Sequence, residues 1–551
     1  MRSASLRLVR GKPQACPTVD VMSRKTLFLS CLGFVLVGCS LLPYNGIEDD
    51  EALVAGPIFG PVAREFRLRV FHRDIPLMAM DYVGALKSWL YLPIFRLFAP
   101  SPLSLRLPVL AIGAITIWLF YLLLHRIAGT RAALAGCLLL STDTSFLLTT
   151  EFDWGPVAIQ HLMLVAACLL LVEFARTDSR KLLAAGFFTL GLGLWDKAIF
   201  AWVLGGLVVA AMVVFPKQAL ARLTARNLGV ATAGLLLGVW PLVVFNARHD
   251  WQTVRNNASF SAENLDAKAT VLLSTVTGSG LFGYMVNVSS AEPAREPPSW
   301  LERASTRIAD FSGRPHRNVM MPALLIAFVA GLWIRASRRG TLFALIFLAS
   351  AWIQMALTKN AGGGVHHAVL LWPFPQLAVA IAFAALSERW AARGGRLTFA
   401  ITIAIVCAAN LLVTNEYFAQ FIRNGPTVTW TDAIYPLSDS IQDPSSEVFL
   451  MDWGIFQPLR MLHQGRIKIF AGFDPVMTDA PDMAQRRMID NMLTSAQAVF
   501  VAHTPGNEVF PVPNRRFENL AATRGFSKEI LRTVPDRHGR KIFEVYRFVR
   551  Q

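Results

Sequence analysis

Residues 44–56 read YNGIEDDEALVAG and set four consecutive acids, Glu48, Asp49, Asp50 and Glu51, a few residues beyond the first hydrophobic run of the chain. A charge inside hydrocarbon costs on the order of several kcal/mol, so carboxylates at the mouth of a membrane span are solvated, neutralised or put to use. Two readings follow: an exposed acidic loop, or the active site of a membrane enzyme around which the remaining chain is scaffolding.

Outward from this stretch the composition is that of a polytopic membrane protein. Of 551 residues 54% are hydrophobic and 16% charged, with a mean hydropathy of +0.44, far from soluble domains. Six cysteines at 16, 31, 39, 137, 168 and 407 form no CxxC pair, so neither a disulfide framework nor a zinc site is indicated.

Before the acids runs TLFLSCLGFVLVGCSLLP, residues 26–43. Leu36-Val37-Gly38-Cys39 resembles a lipoprotein cleavage box, but the later spans already anchor the chain, and a retained helix is the simpler reading. Met22 is an alternative start of translation. Ten further apolar segments follow, at 103–125, 132–149, 156–175, 182–195, 198–215, 228–246, 319–334, 341–357, 368–386 and 397–413, predicting eleven spans. Residues 83–98 carry Lys87 and Arg96 in a stretch shorter than the ~20 residues a span needs, and read as an amphipathic juxtamembrane helix.

Charge tests this parity. Residues 1–25, HRIAGTR, EFARTDSRK, PKQALARLTARN, RASRRG and SERWAARGGR together hold 20 Lys and Arg against 4 Asp and Glu, which is the whole +16 excess of the protein. Basic residues mark cytoplasmic loops. The predicted organisation is therefore a cytoplasmic N-terminal segment, 1–26, a transmembrane domain, 27–413, with an outer loop at 44–102 and an outer region at 247–318, and an extracytoplasmic α/β domain, 414–551. In that last domain EVFLMD, RIKIFAG, AVFVAH and KIFEVYRF read as strands and the segments between them as helices.

The polar residues that interrupt apolar runs all fall on the outer side. Asp49, Asp50 and Glu51 cannot all ionise cheaply together, which suits a general base or a shared divalent cation. Asp153-Trp154 and Asp196-Lys197 flank spans; Lys87 and Lys197 have the chemistry to hold phosphate oxygens, against the alternative of a solvated or snorkelling lysine. His366 and His367 follow a flexible AGGG, and adjacent helical side chains diverge by roughly 100°, which favours hydrogen bonding to a ligand over joint metal chelation.

Taken together, EDDEALVA with its Asp50-Glu51 pair, GALKSWLYLPIFRLFAPSPLSLRLPVLAIG (84–113), FDWGPVAIQ (152–160) and GLGLWDKAIF (191–200) resemble the GT-C superfamily of polytopic glycosyltransferases, particularly the protein O-mannosyltransferase and lipid A aminoarabinose transferase-like group. The resemblance spans about 27–413 and is strongest over 44–200; the group's usual Pro-Pro ahead of the interfacial helix is replaced by Val83-Gly84-Ala85. It implies inverting transfer of a sugar from a polyprenyl phosphate to a protein, lipid or glycan acceptor on the outer face of the plasma membrane. Asp50 would then be the base, Asp49 or Glu51 would orient it or bind a cation, Lys87 and Lys197 would meet the phosphate, and Asp153, Trp154, Asp196, His366 and His367 would contact sugar or acceptor. A secondary transporter is the rival class, but transporters keep ionisable groups near the midplane and often show repeats, and no repeat is visible. The basic loops predict that a reporter fused after residue 551 is active only outside the cytoplasm; cytoplasmic activity alone would refute the eleven-span topology.

Overall fold

The computed structural model describes residues 21–60, 66–289, 295, 297–391 and 394–551. Residues 1–20 of the predicted N-terminal segment, Cys16 among them, 61–65 of the outer loop, 290–294 and 296 of the outer region, and 392–393 of the last basic loop lie outside the described residues.

The longest helical stretch, Pro102–Ser141, starts where a Ser101 capping box with Ser104 and a Pro at the first turn satisfy the free amides, as helix N-termini require. It breaks at Gly129, φ +83°, inside the predicted HRIAGTR loop. Helix Val21–Leu41 packs along its first half, where Gly113 leaves room for Phe34. Helix Ala158–Thr177 lies on the other side. The glycines of GLGLW have a packing role too: a Cβ on Gly191 would sit 2.3 Å from the Leu235 carbonyl oxygen, and one on Gly238 2.3 Å from that of Phe188. Helices Arg180–Asp196 and Ala225–Arg248 therefore touch backbone to backbone, the small-residue packing that holds helices together in lipid.

Each of the eleven apolar segments is helical, but fewer than eleven helices are, taken singly, long and apolar enough to cross a membrane. Among the described residues seven helices are long and apolar enough to cross a membrane, or eight if Phe200–Val214 and Pro216–Arg222, bent by 111°, form one span. The shortfall is one of length. Arg180–Asp196, Phe200–Val214 and Met320–Trp333 have 17, 15 and 14 residues, below the ~20 of a full crossing, and two predicted spans share Pro102–Ser141. Residues 83–98 give a 12-residue helix, Leu86–Leu97, with Lys87, Ser88, Tyr91 and Phe95 buried and Trp89, Leu90 and Leu97 exposed.

The last helix of the membrane portion, Gly395–Asn424, continues eleven residues past the boundary drawn at 413. Its extension stays helical because it is gripped: the Tyr417 hydroxyl donates to the Gly278 carbonyl at 2.9 Å and accepts from the Leu281 amide at 3.0 Å, and its ring stacks on Phe282. Beyond it β3 (Glu447–Leu450), β4 (Lys468–Ala471), β5 (Ala498–His503), β6 (Phe526–Pro535) and β7 (Lys541–Arg550) form one mixed sheet in the order β4-β3-β5-β7-β6. A two-stranded hairpin, β1 (Arg67–Val70) with β2 (Arg73–Pro76), lies in the first loop. β3 runs parallel to β4 and β5, with helices Phe456–Leu462 and Met483–Thr494 in the crossovers, and β7 is antiparallel to β5 and β6. Strand β6 was not expected: only one of its ten residues is buried, so it lacks the apolar alternation that marked the others.

The acid loop is fastened at three points. Glu51 receives two hydrogen bonds from the Arg106 guanidinium, at 2.7 and 2.8 Å, both residues fully buried, and the same guanidinium donates to the Gly46 carbonyl at 2.7 Å. The Gly46 amide donates to the Trp430 carbonyl at 2.8 Å, an approach so close that any Cβ there would meet the Thr431 carbonyl. Removing one member of a buried ion pair strands the other charge and costs ~3–5 kcal/mol. Arg106→Met is therefore expected to lower the thermal stability of the detergent-solubilised protein sharply, and an Arg106→Met/Glu51→Leu double variant to recover part of the loss; an Arg106→Met protein as stable as wild type would contradict this role.

Candidate active site

Four turns from distant parts of the chain meet beside the acid loop. The first is the loop itself. One Glu48 carboxylate oxygen accepts from the backbone amides of Asp50 and Glu51 at 2.8 and 3.2 Å and so caps the 3-10 turn Glu51–Val54, while its other oxygen is buried without a partner. Burial, with the charges of Asp50 and Asp49 adding, drives Glu48 well above the usual carboxylate range. Asp49 turns away and accepts from the Gln457 amide of the C-terminal domain at 2.9 Å. Asp50 is half-buried and projects the other way, toward the Trp154 side chain, which donates to it, and the Lys197 charge; burial raises it and these two contacts oppose the rise.

The second turn is FDWG. Asp153 adopts φ +40° and Gly155 φ +67°, a left-handed pair that reverses the chain and that Asp and Gly tolerate best. Asp153 accepts from the Val157 and Ala158 amides at 2.9 Å with one oxygen, capping helix Ala158–Thr177, and pairs with Lys87 at 2.7 Å with the other. Gly155 is required for a second reason: a Cβ there would come within 2.9 Å of both the His366 ring and the Lys197 ammonium.

The third is WDK, paired with YVG. Val83 and Lys197 form an antiparallel bridge, with the Gly84 amide donating to the Asp196 carbonyl at 3.0 Å and the Ala198 amide to the Tyr82 carbonyl at 2.9 Å. Gly84 is needed because a Cβ would lie 1.9 Å from the Trp195 carbonyl oxygen. Lys197 is not a solvated turn residue; it is 2% exposed and donates to the Gly155 carbonyl at 2.7 Å. Its burial lowers it to about 8, against the opposing pull of Asp50, Asp196 and Asp153. Both carboxylate oxygens of Asp196 are buried without a hydrogen-bond partner.

The fourth is AGGGVHHA. His366 stands edge-on to Trp154, ring centroids 4.1 Å apart, and Trp154 stacks on Tyr284 at 4.2 Å. His366 and His367 do not diverge as an ideal helix would have them: their rings are 4.0 Å apart, on a single helical turn, Val365–Ala368. Beside Trp154, Tyr284 and the two histidines opens a cavity of about 720 Å³ that continues past Lys268, Glu263 and Lys359.

Asp50, Trp154, Lys197, His366 and His367 are thus assembled in one cluster, with Lys87, Asp153 and Asp196, buried like Lys197, packed beside it. Glu51 and Asp49 are elsewhere engaged, by Arg106 and by the C-terminal domain. Sequence reasoning missed Glu48 as a loop support, and it missed Arg106, Tyr82 and Tyr284. The signal for Arg106 was present, since an arginine within LSLRLPVL is costly unless paired. Among the described residues no group of three or more His, Cys, Asp or Glu is arranged to hold a metal ion.

This combination of a helical membrane portion, a charged turn cluster and a C-terminal α/β domain resembles the GT-C glycosyltransferases, in particular their O-mannosyltransferase and aminoarabinose transferase-like branch. The family model described as dolichyl-phosphate-mannose-protein mannosyltransferase matches residues 84–245. ArnT from Cupriavidus metallidurans in the apo state superposes with a TM-score of 0.56 at 12% identity, over 95% of this chain and 97% of that one. The same protein bound to undecaprenyl phosphate gives 0.55 at 13% identity, over 95% and 98%. The Archaeoglobus fulgidus oligosaccharyltransferase tethered to an acceptor peptide gives 0.51 at 12%, over 88% of this chain and 69% of that one. No curated protein matches the sequence.

Asp49 titrates from about 6 in the folded protein against an ordinary value near 3.8, its burial outweighing the Gln457 hydrogen bond. The folded state then holds the proton more tightly than the unfolded chain, so Asp49 lowers stability progressively as pH rises from about 4 to about 6 and by a constant amount above. Asp49→Asn should remove that slope from thermal unfolding followed in detergent between pH 4 and 7; an unchanged slope would mean that Asp49 titrates normally.

Proposed function

We propose that this protein transfers a hexosyl or pentosyl group from a polyprenyl-phosphate donor to an acceptor on the outer face of the cytoplasmic membrane, with inversion at the anomeric carbon. The observation that carries the reading is the approach of Asp50, hydrogen-bonded to Trp154, to the Lys197 charge, beside the cavity that Trp154 lines. A carboxylate and a cation so arranged supply the two charges that such a displacement needs.

As the acceptor oxygen attacks the anomeric carbon, its proton passes to Asp50; the bond from that carbon to the phosphate oxygen breaks, and the electron pair leaves with the lipid phosphate. Lys197 faces the charge that develops there, the kind of fixed electrostatic partner that lowers such barriers most. Lys87 contributes its charge through the ion pair with Asp153, one layer behind. Glu51, locked to Arg106, and Asp49, locked to Gln457, hold Asp50 from its two sides. Trp154, His366 and His367 offer an aromatic and hydrogen-bonding wall for the sugar or the acceptor, and Asp153 and Asp196 complete that wall from beneath.

Undecaprenyl phosphate bound to ArnT and the peptide tethered to the oligosaccharyltransferase support a lipid-phosphate donor and an acceptor that is protein, lipid or glycan. The fourth turn and the cavity beside it are open to either. The C-terminal domain, extracytoplasmic on this reading, selects the acceptor or stabilises the loop it touches.

The test is transfer in proteoliposomes supplied with a polyprenyl-phosphate sugar. Asp50→Asn keeps shape and hydrogen bonding but not basicity, and should lower kcat by ~10²- to 10⁴-fold with folding intact. Wild-type activity should rise as Asp50 ionises, above the ordinary aspartate range, and fall as Lys197 loses its proton near pH 8; Lys197→Gln should abolish the alkaline limb along with most of the rate. Normal turnover by a well-folded Asp50→Asn protein would remove Asp50 as the base, and solute uptake without transfer would favour a transporter.

A further inference from the structure

Helix Trp300–Phe311 is amphipathic in the inverted sense. At about 100° per residue, Trp300, Ile308 and Phe311 lie on one face, with Leu301 at its edge, and all four are exposed, Phe311 at 96% and Trp300 at 70%. The opposite face, Glu302, Ser305, Thr306 and Ala309, is small or polar, and it is the buried one. A water-soluble helix buries its apolar stripe; this one presents it outward.

Its depth is set by what it touches. Tyr44, three residues after helix Val21–Leu41 ends, donates to Glu302 at 2.9 Å. Asn415 and Arg423, on the polar extension of helix Gly395–Asn424, donate to the Ser305 and Thr306 carbonyls at 3.0 Å. These partners all lie just beyond apolar helical runs. Eight residues later the chain enters Met320–Trp333, whose Leu325, Ile326 and Val329 are also exposed.

The charge is complementary to lipid. Arg303 and Arg307 flank the apolar face, and Arg314 and Arg317 follow the helix. Asp310 is taken up by Arg314 and Arg423, whereas Arg307 and Arg317 are exposed and have no ion pair among the described residues. We propose that this helix lies in the plane of the membrane surface beneath the C-terminal domain, sinks Trp300, Leu301, Ile308 and Phe311 into the acyl chains, and holds the headgroups of anionic phospholipids on Arg303, Arg307 and Arg317. Such helices bind through buried apolar area together with attraction to anionic lipid. The inference is independent of the transfer activity.

The experiment uses the full chain with Phe311 replaced by the photoreactive p-benzoylphenylalanine, in nanodiscs of phosphatidylcholine and phosphatidylglycerol, with the same substitution at Leu325 as the lipid-facing control. Irradiation followed by intact-mass measurement should give lipid adducts at 311 as at 325, enriched severalfold in phosphatidylglycerol over its share of the disc. Adding Arg307→Gln and Arg317→Gln should bring that enrichment down to the bulk composition while leaving the adducts themselves. Lipid adducts at 325 but none at 311, or a protein dimer crosslinked through 311, would overturn the in-plane placement. Adducts at 311 without phosphatidylglycerol enrichment would overturn the headgroup site.

Discussion

The ion pair between Glu51 and Arg106 is the constraint on which the site depends. An arginine in an apolar helix needs a partner of opposite charge, and a carboxylate in a buried loop needs donors; each is the only economical answer to the other. Because the guanidinium also binds the Gly46 carbonyl, one side chain fixes both ends of the acidic turn. Glu48 then closes the turn from within. What remains free to act is Asp50, and it is free because its neighbours are bound.

A second consequence concerns the layering of charge. Lys87, Asp153, Asp196 and Lys197 are all buried, yet they are two cations and two carboxylates, and turns or helix ends carry them. Short loops paired to one another, such as YVG against WDK, let charged groups approach within hydrogen-bonding distance without interrupting the crossing helices. The glycines at 84 and 155 are the condition for that approach, since a Cβ at either would collide with backbone or with the working side chains.

Much of this was legible in the residues. Long apolar runs announced the helices of the membrane portion. The residues singled out for chemistry, Asp50, Trp154, Lys197 and His366, lie together in space, and the four strands expected in the C-terminal domain, with the helices between them, are where the apolar alternation put them. The rest was hidden for identifiable reasons. Arg106 answers a partner 55 residues away, a separation that no local pattern encodes. Strand β6 buries only one of its ten residues and so has no periodic apolar face. Helix Trp300–Phe311 falls in a polar region whose hydrophobic residues are spread over three turns, and only the fold reveals that they point the wrong way for water. The apolar runs marked each helix but not its length, which is why several of the eleven segments form helices shorter than a full crossing.

The contacts from Asp49 to Gln457 and from Gly46 to Trp430 join the beginning of the chain to its end, the first across 408 residues. The acidic loop is synthesised well before the C-terminal sheet, and its ties to Arg106 and Trp430 need no strand of that sheet. The contact at Asp49 is different, because Gln457 follows β3: a chain cut short before β3 keeps the loop fastened through Glu51 and Gly46 but leaves the Asp49 carboxylate without that donor.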